Sequence, residues 1–566
     1  MSDAGGREAE AATGRPDLFG GWRGPLLAAL IALLAGLPGV FGLPPLDRDE
    51  SRFAQATAQM LETGDFININ FQDQPRHKKP VGIHWLQAAA VSAVSSAEAR
   101  DIRVYRIPSL LGAMLAAAAC AWGAATFFGA RGGFAAGAVL GISFLLSTEA
   151  SIAKTDAVLC GAIVLTQSAL ARLYGAARGA GSAGWRTRAL MWTGLALAVL
   201  VKGPIGPMVF AATLLALWVW DRDARWMKRL DWFGGLLLVA LLVGPWAVAI
   251  TVQTDGAFWG DAIGGDLAPK LSGGHERHGG PPGYHLLAAP VLFFPMAFLL
   301  PAALVAGWRR RREPGVRFAL AWLVPGWIIF ELSPTKLVHY PLPLYAALAW
   351  LTAAALQGEI GRRARWAGVG LAGLSAMVVA GAALYLRREF GDPADSWAAV
   401  LAALLALAAG AAGAWFLLRD RRGRVLATAG ALGVLCHGVI AGLLIPRLEP
   451  LNLSPRTAEA LAAEGLDPRR GLIAGPVEVA GYAEPSLVFL LGTGTGLGDA
   501  PEAAEAIRQG RPAVVLNTEV TAFRRELASR GVSATPVTAV TGFNYSNGDD
   551  TALILFRPAR ARQEAP

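Results

Sequence analysis

Apolar runs long enough to cross a bilayer follow one another from residue 24 to residue 446, and this constrains the chain more than any motif in it. A spanning helix needs about 20 apolar residues, slightly fewer at the thin end of the range. Thirteen runs qualify: 24–45, 104–127, 132–150, 155–174, 188–201, 203–220, 231–253, 286–307, 316–332, 338–357, 366–386, 397–418 and 423–446. Because lipid offers backbone groups no hydrogen bonds, each of these runs must be helical. At 54% hydrophobic and 16% charged residues over 566 positions, the composition is too apolar for a soluble chain of this size.

The charges between the runs set the expected topology. The net charge is +9, but the arginines stand in short clusters between apolar runs: RLYGAARGAGSAGWRTR, DRDARWMKR, WRRRREPGVR, GRRAR and RDRRGR. That is how cytoplasmic loops look under the positive-inside rule, and it argues against a nucleic-acid partner. The stretch 81–96, VGIHWLQAAAVSAVSS, is short and carries His84, Gln87 and several serines, so it reads as a helix lying in the interface. If it does not span, all five arginine clusters share the N-terminal, cytoplasmic side. The expectation is therefore an α-helical polytopic protein with 13 spans: a cytoplasmic tail over 1–23, a membrane domain over 24–446 with outer loops 47–103 and 254–285, and an extracytoplasmic domain over 447–566. Arg100, Arg103 and Arg106 then lie outside, a local breach of the rule. The polar N-terminal tail lacks a small-residue cleavage site before the first run, so the first span is expected to remain uncleaved.

Beyond residue 447 the pattern changes. GLIAG, SLVFLLG and PAVVLN read as strands and PEAAEAIRQG and EVTAFRRELASRG as helices, giving a small α/β domain. The glycine run LGTGTGLGD lacks the Gly-Lys-Ser/Thr ending of a phosphate loop and reads as a turn. Cys120, Cys160 and Cys436 fall in apolar runs without metal-ligand spacing and read as packing residues, with no disulfide.

On the expected outer face the charged residues form a short set: Asp47, Asp49, Glu50 and Arg52, then RHKKP (76–80), KTD (154–156), Lys202, SGGHERHGG (272–280) and SPTKLVHY (333–340). A charge at the edge of an apolar segment needs a partner, water or a substrate. Residues 51–63 suit an amphipathic helix along the surface, with Asp49 and Glu50 in its first turn, where carboxylates favour the positive helix end. A purely structural reading makes Asp49 the cap of this helix, paired with Arg52 three residues on.

DRDESRFAQATAQMLETGDFININFQDQPRHKKPVGIHWLQ resembles the first outer loop of the protein O-mannosyltransferase-like family of bacterial membrane glycosyltransferases, which have the GT-C fold and include the aminoarabinose lipid A transferases. Asp49, Glu50, Arg52, Met60, Leu61, Gly64, Asp65, Lys79 and Pro80 fit its pattern in order. KTDAVL with Asp156, VKGP with Lys202, and TKLVHYPLPLYAALA with Lys336 and Tyr340 are similar to later stretches of the family. Two positions depart from it: Lys78 stands where Glu-Lys-Pro is usual in the aminoarabinose transferases, and Phe53 where a tyrosine often follows the arginine.

The resemblance implies an inner-membrane enzyme whose active site faces the periplasm. Its donor would be a sugar on a polyprenyl phosphate, taken laterally from the membrane. The acceptor would be lipid A, core oligosaccharide or another envelope glycan, with protein O-mannosyltransferase-like glycosylation of secreted proteins as the alternative. Asp49 and Asp156 are the expected catalytic carboxylates. Glu50, Arg52, Lys78, Lys79, Lys202, His275, Arg277, His278, Lys336 and Tyr340 are the expected substrate-binding residues. Cations at the interface would stabilise charge on the departing phosphate, and direct displacement would invert the anomeric centre. His275 and His278 have a spacing that suits a divalent cation if helical, but the flanking glycines suit a loop closing over substrate, so the metal requirement stays open. A lipid-linked-sugar transporter would call for internal repeats and mid-membrane charges, and neither is visible. A non-catalytic homologue binding glycan or protein through its C-terminal domain is the remaining reading. The chain is expected to work as a monomer.

Overall fold

The structure, a computed structural model, describes residues 18–269, 279–419 and 422–559. Every one of the thirteen apolar runs falls on helix. Eight helices among the described residues are long and apolar enough to cross a membrane unaided. The pair Tyr284–Leu292 and Met296–Arg309, bent by 117°, makes nine if it is one span. The other runs are helical in shorter or merged form. Ile205–Asp221 and Leu342–Gln357 are short, Trp185–Lys202 carries Arg186, Arg188 and Lys202 within its 18 residues, and 132–150 continues the preceding helix past a break at Gly129 (φ 69°) before restarting as Phe144–Ala150. The helix Trp232–Gln253 is the clearest sign of a lipid solvent. It is strongly apolar, yet only 17% of its most apolar window is buried in protein, and Phe233, Leu241 and Val248 stand exposed.

Small residues let the helices of the core approach closely. A Cβ on Gly161 of the Asp156–Ala176 helix would lie 2.5 Å from the Gly112 carbonyl of the Ile107–Gly141 helix, so the two backbones touch where only glycine fits. Trp322 and Trp350, both fully buried, stack edge to face at 6.0 Å and fill the centre of the bundle. At the end of the bundle where Ile205–Asp221 terminates, Asp221 takes Arg178, Arg317 and the Tyr174 hydroxyl.

The stretch expected to lie in the interface forms the helix Gly82–Val94. The helix Asp49–Thr63 packs on it, but this helix does not face water with its polar side: every residue from Glu50 to Met60 except Arg52 is buried. Its second cover comes from the C-terminal domain, whose Phe489 joins Ala54, Ala58, Val91 and Tyr105 in one apolar cluster. Arg106, part of the breach of the charge rule, is neutralised here. It pairs with Glu50 at 2.8 Å with both side chains almost fully buried, and donates to the Leu43 and Pro44 carbonyls at the end of the first helix.

A two-residue hairpin, β1 (Asn70–Phe71) and β2 (Gln74–Pro75), precedes the C-terminal sheet. That sheet contains β3 (Glu478–Ala480), β4 (Gly496–Gly498), β5 (Ala513–Leu516), β6 (Ala534–Asn544) and β7 (Asp549–Pro558) in the order β4-β3-β5-β7-β6. The first three are parallel and the last two are added antiparallel. Helices Leu453–Ala463 and Pro485–Leu491 cover one face, and Ala500–Arg508 and Val520–Ser529 the other. Two expected strands are therefore corrected. SLVFLLG is the helix Pro485–Leu491, because it is buried all round, so its pattern shows no period, and Pro485 starts a helix well. GLIAG forms no strand. LGTGTGLGD is a turn running into β4.

Candidate active site

Four chain segments far apart in sequence, at 76–79, 149–156, Lys202 and His339, come together beside the start of the helix Asp49–Thr63. Asp156 is the first residue of the helix Asp156–Ala176, at its positive end. It accepts from Lys202 Nζ at 2.6 Å, and Lys202 ends the helix Trp185–Lys202. Lys154 Nζ lies 3.6 Å from Asp156 and 3.0 Å from Glu149. His339 stands between the same two acids, 3.7 Å from Asp156 and 3.8 Å from Glu149. Asp49 faces Arg76 at 3.9 Å. Lys79 Nζ lies 4.9 Å from the centroid of the Phe53 ring and pairs with no carboxylate among the described residues.

The cluster is unevenly charged. Arg76, Lys79, Lys154 and Lys202 meet Asp49, Glu149 and Asp156, and Lys78 and Asp266 add one charge of each sign on the cavity wall beside them. Burial pushes the Lys79 ammonium down to about 8, helped by Lys202 and opposed by Asp49 and Asp156. Burial alone would raise the Asp49 carboxyl, but Lys79, Arg76 and Lys154 outweigh it and hold Asp49 below the usual carboxylate range.

A cavity of about 820 Å³ opens from this cluster. Its charged lining consists of Lys78, Lys79, Asp156, Lys202 and Asp266, with His339 beside Asp156. Its walls are apolar: Leu159, Ile205, Met208, Trp259, Phe330 and Leu332 among others. A cavity with cations at one end and hydrocarbon walls suits a ligand with a phosphate head and an aliphatic tail.

The residues expected from the sequence divide as follows. Asp49, Asp156, Lys79 and Lys202 share the cluster, and Lys78 and Tyr340 join Lys79 on the cavity wall. Lys202 also lies 5.6 Å from the centroid of the Tyr340 ring. Glu50 turns away: both its oxygens bind Arg106, and Oε1 also accepts from the Ala153 amide. Arg52 is half-buried and pairs with no carboxylate among the described residues, Asp49 included. Asp49 is not the helix cap either, since Arg48 holds that position. Lys336 donates to the Gly280 carbonyl at 3.0 Å and does not line the cavity. His275, Arg277 and His278 lie outside the described residues. Arg76, Lys154 and His339 lie within the charged outer-face stretches set apart in the sequence but carried no expected role, and Glu149 is the one site residue outside them. For Glu149 the available signal was an acid near the end of an apolar run.

Among the described residues no group of three or more His, Cys, Asp or Glu side chains converges as a metal site. The acids of the cluster are instead neutralised by lysines.

The helical bundle, with the sheet domain packed on the loop before Asp49, has the GT-C fold of a solved ArnT structure, and the curated proteins similar to this chain are glycosyltransferases. Its particular relatives are the undecaprenyl phosphate-α-4-amino-4-deoxy-L-arabinose arabinosyl transferases. That of Pseudomonas paraeruginosa is 29% identical over 448 residues, 76% of this chain and 78% of its own. One from Pseudomonas fluorescens is 30% identical over 346 residues, 58% of this chain and 59% of its own. The crystal structure of ArnT from Cupriavidus metallidurans bound to undecaprenyl phosphate superimposes with a TM-score of 0.72 at 18% identity, over 94% of this chain and 97% of that one. Its apo form gives 0.70. No known family profile matches the chain.

Proposed function

We propose that the protein transfers a sugar from a polyprenyl-phosphate donor to lipid A or a neighbouring envelope glycan, on the periplasmic side of the bacterial inner membrane. The observation that carries this is the 820 Å³ cavity, apolar along its walls and lined at one end by Lys78, Lys79, Lys202 and Asp156, with Asp49 close enough for its charge to act on Lys79. The named activity of the relatives and the undecaprenyl phosphate bound to a protein of the same fold support it. The prenyl tail lies along the apolar wall, and Lys79 and Lys202 take the phosphate that leaves. Preorganised cations in a poorly solvated site stabilise that developing charge.

The state of Asp49 bears on the acceptor. A carboxylate held below its usual range is a weak base, so it is poorly suited to deprotonate a sugar or protein hydroxyl. An acceptor already ionised, such as a lipid A phosphate, needs no base. Asp49 then orients Arg76 and Lys79 around the two phosphates, and direct displacement inverts the anomeric carbon. Protein hydroxyls are the less favoured acceptors for the same reason.

The test is mass spectrometry of lipid A and core oligosaccharide from cells carrying the wild-type protein, a deletion, or Asp49→Asn. A sugar-sized mass absent from both altered strains supports the proposal. An unchanged envelope profile on deletion overturns it.

A further inference from the structure

The C-terminal domain holds the first outer loop through contacts that join residues nearly 500 positions apart. The Asp47 amide donates to the Tyr545 hydroxyl at 2.7 Å. The Ser486 hydroxyl donates to the Asp47 carboxylate, and Ser486 Oγ lies 2.6 Å from Ser454 Oγ, itself 2.9 Å from the Tyr482 hydroxyl. The Arg48 guanidinium donates to the Ser546 carbonyl. Asp47 therefore meets the domain through both its amide and its carboxylate, and Arg48 through its side chain, immediately before Asp49.

These contacts gather at a definite place in the sheet. β3 and β5 are parallel neighbours, and the chain leaves β3 for a helix on one face and β5 for a helix on the other. Tyr482 and Ser486 follow β3, and the β6–β7 turn with Tyr545 and Ser546 projects from the same edge, because β7 runs antiparallel to β5. The carboxyl edge of parallel strands at such a reversal is where open α/β sheets take their ligands. Here the chain's own Asp47 and Arg48 sit on it.

Arg48 has φ 62° and ψ −113°, a backbone conformation an L-residue holds only when its surroundings impose it. It is the residue that turns the chain into the helix Asp49–Thr63, so its torsions aim Asp49. The glycine turn secures the same helix further along. Thr493 Oγ1 accepts from Gln55 at 2.7 Å and donates to Glu62 at 2.6 Å, and Arg100 donates to Thr493 at 3.1 Å.

We propose that the C-terminal domain is a clamp on the Asp47–Arg48 loop, with Ser486 and Tyr545 as positioning residues for Asp49. This rests on the proposed role of Asp49. The domain does not itself take a sugar at that edge, and the loop and helix start are rigid only while docked.

The experiment uses the full chain in lipid nanodiscs, with Ser486→Ala, Tyr545→Phe, the double variant, Ser486→Thr and Asp49→Asn. Three quantities are read: amide hydrogen exchange over residues 44–52, binding of undecaprenyl phosphate, and lipid A modification in cells at equal protein level. In the double variant exchange over 44–52 rises about tenfold, modification falls about 10- to 100-fold, as a misplacement of about 1 Å would cause, and undecaprenyl phosphate still binds within about twofold. Ser486→Thr, which keeps the hydroxyl, restores modification. Unchanged exchange in the double variant, full modification in it, or loss of undecaprenyl phosphate binding with loss of modification would each overturn the clamp. Wild-type cells without modified lipid A, or a fully active Asp49→Asn, would instead sink the proposed function or the role of Asp49. The exchange data would then still decide whether this domain holds the loop.

Discussion

Lys79 is the residue on which the site's electrostatics turn. Its folded value of about 8 lies below that of a free lysine because burial penalises the ammonium. Between about 8 and the free value the folded chain binds fewer protons than the unfolded one, so this group costs stability below pH about 8 and the cost fades as pH rises through that window. Donor binding runs the other way, since a phosphate needs the charged form. Affinity for undecaprenyl phosphate is expected to fall as pH rises through about 8, and titration of Trp259 fluorescence at the cavity wall follows it. Lys79→Arg abolishes that pH dependence because arginine stays charged. At Asp49, Asn substitution is expected to lower transfer about 100-fold, with undecaprenyl phosphate still bound. A variant that fails to bind it would give Asp49 a role in the donor site instead.

At the scale of single elements, two contacts set where the helix ends meet. One is the buried Glu50–Arg106 pair, which pins the Asp49–Thr63 helix to the end of the first helix and to the turn before Asp156 through the Ala153 amide. Removing one partner leaves the other charge buried, so Glu50→Ala is expected to destabilise the fold by about 3–5 kcal/mol. Arg103→Ala, at a side chain 54% exposed, stays within about 0.5 kcal/mol. Thermal unfolding in nanodiscs separates the two. The other contact is Gly161 against Gly112. Gly161→Val drives a side chain into the Gly112 carbonyl and moves the Asp156 helix, so transfer is expected to fall even where the protein still inserts.

Over the whole molecule, the docking of the sheet domain carries its own pH dependence. Burial raises the Asp47 carboxyl to about 7, with Glu484 adding to the rise and the Ser486, Tyr545 and Ser454 hydroxyls opposing it. The folded chain therefore keeps a proton that the free loop loses, and docking weakens as pH rises from about 4 to about 7 and then levels off. Hydrogen exchange over the helix Pro485–Leu491 measures this, and Asp47→Asn is expected to flatten the profile. A flat wild-type profile would show that Asp47 stays ionised at the interface.

The membrane class and the helical character of all thirteen apolar runs were legible in the chain, because the bilayer admits one backbone solution for such runs. So were Asp49, Asp156, Lys79 and Lys202, since charges at apolar edges stand out against their surroundings. The number of true crossings was not, because helices such as Ile205–Asp221 are too short to be judged by length alone. The sheet domain was half legible. Its alternating hairpin, with the Asn547-Gly548 turn, carried a period-2 signal that went unread, whereas the helix Pro485–Leu491 is buried on all sides and has no period to read. Only the tertiary structure could turn Glu50 away to Arg106, add Glu149 and His339 to the cluster, and fold Ser486 and Tyr545 over Asp47. Those partners lie from tens to nearly 500 residues apart, and local pattern carries no information about which distant charges packing brings into contact.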